Sequence, residues 1–421
     1  MGAYEDVARI VESLLLIDTH EHLEPESERL SRPQDPLSMF LTHYLSTDFL
    51  VAGMGVEELE RLRNSEVPWE SRWELFEEWW EYAQTTGYGQ VIRLAIRDLY
   101  GVEELSRNSY PKLLEAMEKA ARPGFYRWVL RERGGIEKCI LDRGVVRDYD
   151  RDLFVPVIRL DDLIGISTRA GLRRLCEKLH KSIHSIDELE SGFRKYIRDR
   201  LKEYVGVKVG LAYERTLYFE DVERCEAERA LKLLLCGNLE AREYTPGFEE
   251  LKPLQDYLMH LLLRELEELG KPIQFHTGLH EGVGNVLPNS RPTLLINLFR
   301  TYPKVKFILF HASYPYSMEA AVLAKNYPNV YLDLCWVFAF SPKAGKRILI
   351  EWLDLVPHNK IMAFGGDYMF VEGTYGESRI MRRIVAEVLS EKVGEGVWKL
   401  STAMRVARRI LRDNAMRIFK I

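Results

Sequence analysis

Eight short apolar runs punctuate the 421-residue chain, and between them lie longer stretches in which apolar residues recur every three or four positions. The runs are SLLLIDTH (13–20), IEKCILD (136–142), LFVPVIRL (153–160), VGVKVGLA (205–212), PIQFHTG (272–278), VKFILFHA (305–312), NVYLDLCW (329–336) and KIMAFGGD (360–367). Most are nearly continuous in hydrophobicity instead of alternating, which is the pattern of strands buried on both faces. Such strands separated by helices build a parallel sheet, and eight units of this kind predict an α/β fold, a (β/α)8 TIM barrel. An open doubly wound sheet would place a Gly-rich turn after an early strand, and no G-x-G-x-x-G follows any run.

One interval is too long for a single barrel helix. Residues 21–135 part the first run from the second and carry strong helical patterns such as WESRWELFEEWWEYAQTTGYGQVIRLAIRDLY. Residues 28–135 are therefore expected to form a helical insertion covering the catalytic face, with 1–27 and 136–421 as the barrel. The aromatics Trp69, Trp73, Trp79, Trp80 and Tyr82 read as core packing of that insertion. Further helical stretches occupy 169–203 and 219–270, the latter holding a long helix ended by Gly270 and Pro272. The tail from Ser401 reads as a closing amphipathic helix.

Composition narrows the function classes. The formal net charge is -5, with Lys and Arg at 59 against 64 for Asp and Glu, which gives no electrostatic case for nucleic acid or an acidic membrane surface. The five cysteines (Cys139, Cys176, Cys225, Cys236, Cys335) form no C-x-x-C pair and read as reduced, buried thiols. The first residues lack the basic region of a secretory signal, and no stretch approaches the roughly 20 apolar residues that cross a bilayer. A cytoplasmic protein acting on a small molecule is the expectation, as a homo-oligomer on the general frequency of that state.

The candidate chemistry stands at the ends of the runs. In a strand, residues i and i+2 point to one side, so His20 and His22 aim two imidazoles at one place, and imidazole is the commonest zinc ligand. His276, His311 and Asp367 close later runs, and Lys208 lies within the fourth. The carboxyl ends of parallel barrel strands share one face, so these residues are expected to converge there. Lys208 as a free ammonium would repel a dication; it either serves a metal as a carbamate or pairs with a carboxylate. Tyr213 and Arg215 follow the fourth run and could bind an anionic group, with a surface ion pair as the alternative for Arg215. His280 reads as a substrate contact or as an exposed loop residue, and Trp336 as pocket wall. Arg159 and Asp161, after the third run, are placed like Arg215.

This set of residues resembles the amidohydrolase superfamily, most closely its uronate isomerase-like branch and the nodulin/glutamine-synthetase-fused amidohydrolase domains. The segments IDTHEH, VGVKVGLAYERTL, PIQFHTGLHEGVGN, FILFHASYPY, YPNVYLDLCW and AFGGDYMFVEGTYGESR carry the resemblance, and YLSTDFLVAGM looks like the helical insertion of the isomerase-like branch. The resemblance implies His20, His22 and Asp367 as metal ligands, with His276 as a further ligand and Lys208 as a carbamylated bridge in binuclear members. It implies Asp367 as general base and His311 as a second-metal ligand or an electrophile that polarises substrate. One or two divalent ions, zinc first with manganese or iron as alternatives, would lower the pKa of bound water from 15.7 to about 7. The implied activity is metal-dependent hydrolysis, metal-bound hydroxide attacking a C–N or ester-like bond. Aldose–ketose isomerisation of a uronic acid, or decarboxylation, is the alternative on the same site, and a non-catalytic metal- or ligand-binding barrel is the reading from another class.

Overall fold

Each of the eight runs contains a strand. The computed structural model describes residues 3–143, 148–235 and 246–421. The strands are β1 (Leu16–Glu21), β2 (Ile136–Leu141), β3 (Phe154–Pro156), β4 (Ile158–Arg159), β5 (Val207–Val209), β6 (Ile273–Phe275), β7 (Phe307–Leu309), β8 (Val330–Asp333) and β9 (Ile361–Met362). The third run supplies both β3 and β4, which are parted at Val157. β1, β5, β6, β7, β8 and β9 are buried at every position, as uninterrupted hydrophobic runs require.

The chain divides into two compact units. The first comprises Met1–Val155, Leu279–Asn285 and Leu332–Ile421. In it β1 pairs parallel with β2, and Leu332 and Asp333 pair parallel with Ile361 and Met362. The second comprises Pro156–Gly278 and Val286–Tyr331, with β4, β5, β6 and β7 paired parallel in that order through β4–β5, β5–β6 and β6–β7.

Between β1 and β2 the chain forms helices and no strand, among them Leu45–Ala52, Trp69–Ala83 and Gly87–Tyr100. On Trp69–Ala83 the buried stripe is Trp73, Phe76, Trp80 and Ala83, spaced by three and four residues. Tyr82 falls off that stripe and is 61% exposed, so it is not core as the composition of the segment suggested.

A helix the periodicity does not announce, Val371–Gly394, follows β9. Its first turns bury Glu372, Thr374, Glu377 and Ser378, so polar residues fall where an apolar stripe would mark the inner face. The Glu372 carboxylate accepts two hydrogen bonds from Arg29, at 2.9 and 2.6 Å, and one from the Tyr100 hydroxyl at 2.5 Å. Residues of the long helical segment thereby clamp this helix, and the opposed charge of Glu372 raises the Arg29 pKa against the pull of its burial.

In the second unit the helix Phe248–Leu269 ends where expected, at Gly270 with φ +62°, a left-handed cap that glycine adopts without steric cost. The tail forms Leu400–Arg408 and Asn414–Phe419, joined through a π-turn at Arg409–Asp413. Cys139 and Cys335 are buried free thiols, but Cys225 is exposed and Cys176 half-buried, against the expectation of burial; Cys236 lies outside the described residues. Among the described residues no helix is long and apolar enough to cross a membrane.

Arg29→Ala should cost about 3–5 kcal/mol, because it strands a buried carboxylate. Urea unfolding followed by circular dichroism reads this directly; a loss well below 1 kcal/mol would show that Tyr100 alone satisfies Glu372.

Candidate metal centre

Alternation along β1 puts Asp18, His20 and His22 on one side of the strand. Both imidazoles meet carboxylates in the first unit. His22 Nε2 lies 3.1 Å from Asp367 Oδ1, and His20 Nε2 lies 3.5 Å from the same oxygen and 3.6 Å from Asp142 Oδ2. The two rings stand perpendicular with centroids 4.8 Å apart. Ligand atoms of His20, His22 and Asp142 all lie within 4.8 Å of one another. His20 is fully buried, Asp142 and Asp367 are nearly so, and the His22 side chain keeps 23% exposure, which leaves the centre one open side.

The tautomer of His22 follows from its neighbours. Nδ1 stands 3.0 Å from the Asp142 carbonyl oxygen, which can only accept, so Nδ1 carries the proton and donates. Nε2, the other ring nitrogen, is then the one that faces Asp367, and an ion between them would draw on its lone pair. His20, His22 and Asp142 are close enough to share one ion, and Asp367 Oδ1 stands beside both imidazoles; nitrogen and oxygen donors of this kind hold zinc at about 2.0–2.2 Å. The backbone carbonyl on Nδ1 is the outer partner that metal-binding histidines characteristically carry.

Asp367 is held in an unusual conformation. Its φ is +58°, its N–H donates to the His20 carbonyl at 2.8 Å, and its carbonyl accepts from the Tyr44 hydroxyl at 2.6 Å. Non-glycine residues in the left-handed region are uncommon and collect at functional sites. Trp336 shares the trait with φ +68° and stacks on Tyr44 at 4.7 Å, while Tyr88 stacks on Tyr44 at 5.0 Å. The ring of His43 lies 6.3 Å from that of His22, and burial pushes its pKa down to about 3, so it is neutral at physiological pH. Glu281 accepts from Thr47 Oγ1 at 3.2 Å, and burial raises its pKa. Asp18 and Glu21 are fully buried; burial pushes Asp18 up to about 6 and Glu21 well above the usual carboxyl range.

The sequence-derived candidates fall in both units. His20, His22 and Asp367 come together in the first unit, where His280 is buried and Trp336 forms part of the aromatic wall. In the second unit, His276 Nδ1 lies 3.0 Å from His311 Nε2, one nitrogen donating and the other accepting, and the half-exposed Tyr213 ring packs 4.7 Å from His276. His311, like Asp367, has φ +58°. Lys208 is buried with its ammonium 3.8 Å from the centroid of the Phe310 ring. Arg215 is buried and donates to Asp256 at 2.7 Å, Gln255 at 2.8 Å and the carbonyls of Thr216 and Tyr218 at 3.0 Å. It is a structural hub within this unit, neither a surface ion pair nor a guanidinium with most of its donors available. Asp161 accepts from the Gly210 N–H at 2.9 and 3.0 Å.

Three residues beside the centre escape the sequence analysis. Asp142 closes the second run as Asp367 closes the eighth, and that shared position is the signal that could have found it. His43 and Tyr44 lie in the helical segment, where no periodicity marks them; only the fold brings Tyr44 to Asp367.

Residues 219–421 match the family model described as amidohydrolase. That segment, a little under half of the chain, is similar to the amidohydrolase family. Protein fluG of Emericella nidulans is 34% identical over 223 residues, which are 52% of this chain and only 26% of that protein, so the match spans about a quarter of its length. Among solved structures, uronate isomerase of Thermotoga maritima superposes with a TM-score of 0.80 at 15% identity, over 99% of this chain and 97% of that one. Glucuronate isomerase of Caulobacter crescentus gives 0.79 at 17%, over 99% and 94%. A Lactobacillus casei protein provisionally described as a metal-dependent hydrolase gives 0.66 at 17%, over 99% and 97%. At these identities the likeness establishes the fold alone, a TIM barrel.

Asp142→Asn should weaken binding of a divalent ion by about tenfold or more, since it exchanges a charged ligand for a neutral amide. Competition against a chromophoric chelator measures the change, and an unaltered affinity would remove Asp142 from the ligand set.

Proposed function

We propose that this chain is a metal-dependent enzyme of the hydrolase type, with His20, His22, Asp142 and Asp367 holding a divalent ion. The observation that carries the reading is the meeting of two imidazole nitrogens with Asp367 Oδ1 at 3.1 and 3.5 Å, in a chain whose residues 219–421 match the amidohydrolase model. A bound ion supplies Lewis acidity to an oxygen placed beside it; zinc is the first expectation, with manganese and iron as alternatives.

The chain's own groups do the rest. The Asp367 carboxylate takes a proton from the attacking water and returns it to the leaving nitrogen or oxygen, a transfer that needs a carboxylate fixed within hydrogen-bond reach. The Tyr44 hydroxyl and the His20 carbonyl fix it, by gripping the Asp367 backbone on either side. The stacked rings of Tyr44, Tyr88 and Trp336 exclude water from one flank. His22, the more exposed ligand, marks the side from which a small-molecule substrate approaches.

A second reading, aldose–ketose isomerisation of a uronic acid, is favoured by the whole-chain likeness to two uronate-type isomerases. Asp367 would then move a proton between adjacent carbons. Mass spectrometry of products from amide, lactone and uronate panels separates the two, since hydrolysis adds water and splits the substrate while isomerisation conserves mass. Asp367→Asn should lower turnover of whichever substrate is found by about 10²–10⁴-fold while the protein stays folded. Undiminished metal-dependent turnover in that variant would defeat both readings.

A further inference from the structure

The loop that carries Asp367 runs beside β1 as an additional parallel partner. The Thr19 N–H donates to the Phe364 carbonyl at 3.1 Å, the Asp367 N–H to the His20 carbonyl at 2.8 Å, and the His22 N–H to the Tyr368 carbonyl at 3.0 Å. Three residue steps along β1, from 19 to 22, are therefore matched by four along the loop, from 364 to 368. The extra residue makes a β-bulge, a device that re-aims a side chain and leaves backbone groups without a ladder partner.

Two carboxyl groups of β1 take up those amides. Asp18 Oδ1 accepts from the Gly366 N–H at 3.2 Å, and Glu21 Oε2 accepts from the Tyr368 N–H at 2.9 Å. They flank Asp367 on either side. The fit leaves no slack: a Cβ on Gly366 would sit 2.1 Å from Glu21 Oε1, and one on Gly365 would sit 2.6 Å from Thr19 Oγ1. Glycine is needed here for close approach, since neither position has a positive φ.

We infer that Glu21, the residue between the two histidine ligands, is a positioning residue that sets the aim of Asp367 by holding the Tyr368 amide. Its Oε2 holds the Tyr368 amide, so it acts on the centre through the bulge. Asp18 is the partner anchor at the other end. The inference rests on the metal reading above, and it assigns the central residue of the H-E-H triplet a task distinct from ligation.

The test is cobalt(II) binding to the full-length protein, read by the d–d absorption spectrum and by chelator competition, with melting temperature alongside. Glu21→Ala removes the acceptor and Glu21→Asp withdraws it by one methylene; both should weaken cobalt binding about tenfold or more and alter the spectrum, as loss of outer-shell partners does. Glu21→Gln presents the same acceptor and should restore both affinity and spectrum. A purely structural role would lower the melting temperature of E21A and E21D while the spectrum and affinity stay at wild-type values, and that result overturns the inference. So does an E21Q variant as impaired as E21A. If E21A does not fold, E21D against E21Q decides by the same criteria. A wild-type protein that binds no cobalt removes the metal reading and this inference together, whereas wild-type binding with unchanged variants removes this one alone.

Discussion

His22 Nε2 and Asp367 Oδ1 stand 3.1 Å apart, a spacing that a shared proton or a shared cation satisfies, and the proposed centre uses the cation. Much of the first unit can be understood as the means of keeping that pair together. The Asp142 carbonyl fixes the His22 tautomer. The β1 backbone fixes the height of Asp367, and a bulge turns its carboxylate toward both histidines. Residues 347 positions apart in sequence, Glu21 and Tyr368, are joined for this purpose. Burying so concentrated a cluster of carboxyls and imidazoles costs free energy that the surrounding apolar core offsets.

The long helical segment after β1 is part of that support. Arg29 and Tyr100 grip Glu372 on the helix that leaves the Asp367 loop, and Tyr44 holds the loop itself. A segment that sequence alone marks only as helical and aromatic thus touches the centre through one hydroxyl and steadies it through one ion pair. The left-handed backbone at Asp367 and Trp336 is tolerated because tertiary contacts determine both positions.

The fold was legible because buried parallel strands announce themselves as unbroken apolar runs, and all eight runs hold strands. Their ends were legible for the same reason: a histidine or aspartate closing such a run stands out. That logic found His20, His22 and Asp367, and it passed over Asp142 only because a single aspartate before Arg143 looks like an ordinary turn. Arg215 shows the opposite failure. Its position after a strand suggested an anion site or a surface pair, but its partners Gln255 and Asp256 lie on a distant helix that no local pattern connects to it. The helix at 371–394 stayed hidden because its first turns bury Glu372 and Glu377 among apolar residues, and the contacts that meet these carboxyls exist only in the folded chain.

The central claim is that residues 20, 22, 142 and 367 share one cation. X-ray absorption at the metal edge of zinc-loaded protein tests it most directly. The account predicts a first shell of two imidazole nitrogens and oxygen donors at about 2.0–2.2 Å, with no sulfur. A shell containing thiolate at about 2.3 Å, or one without imidazole, would contradict it.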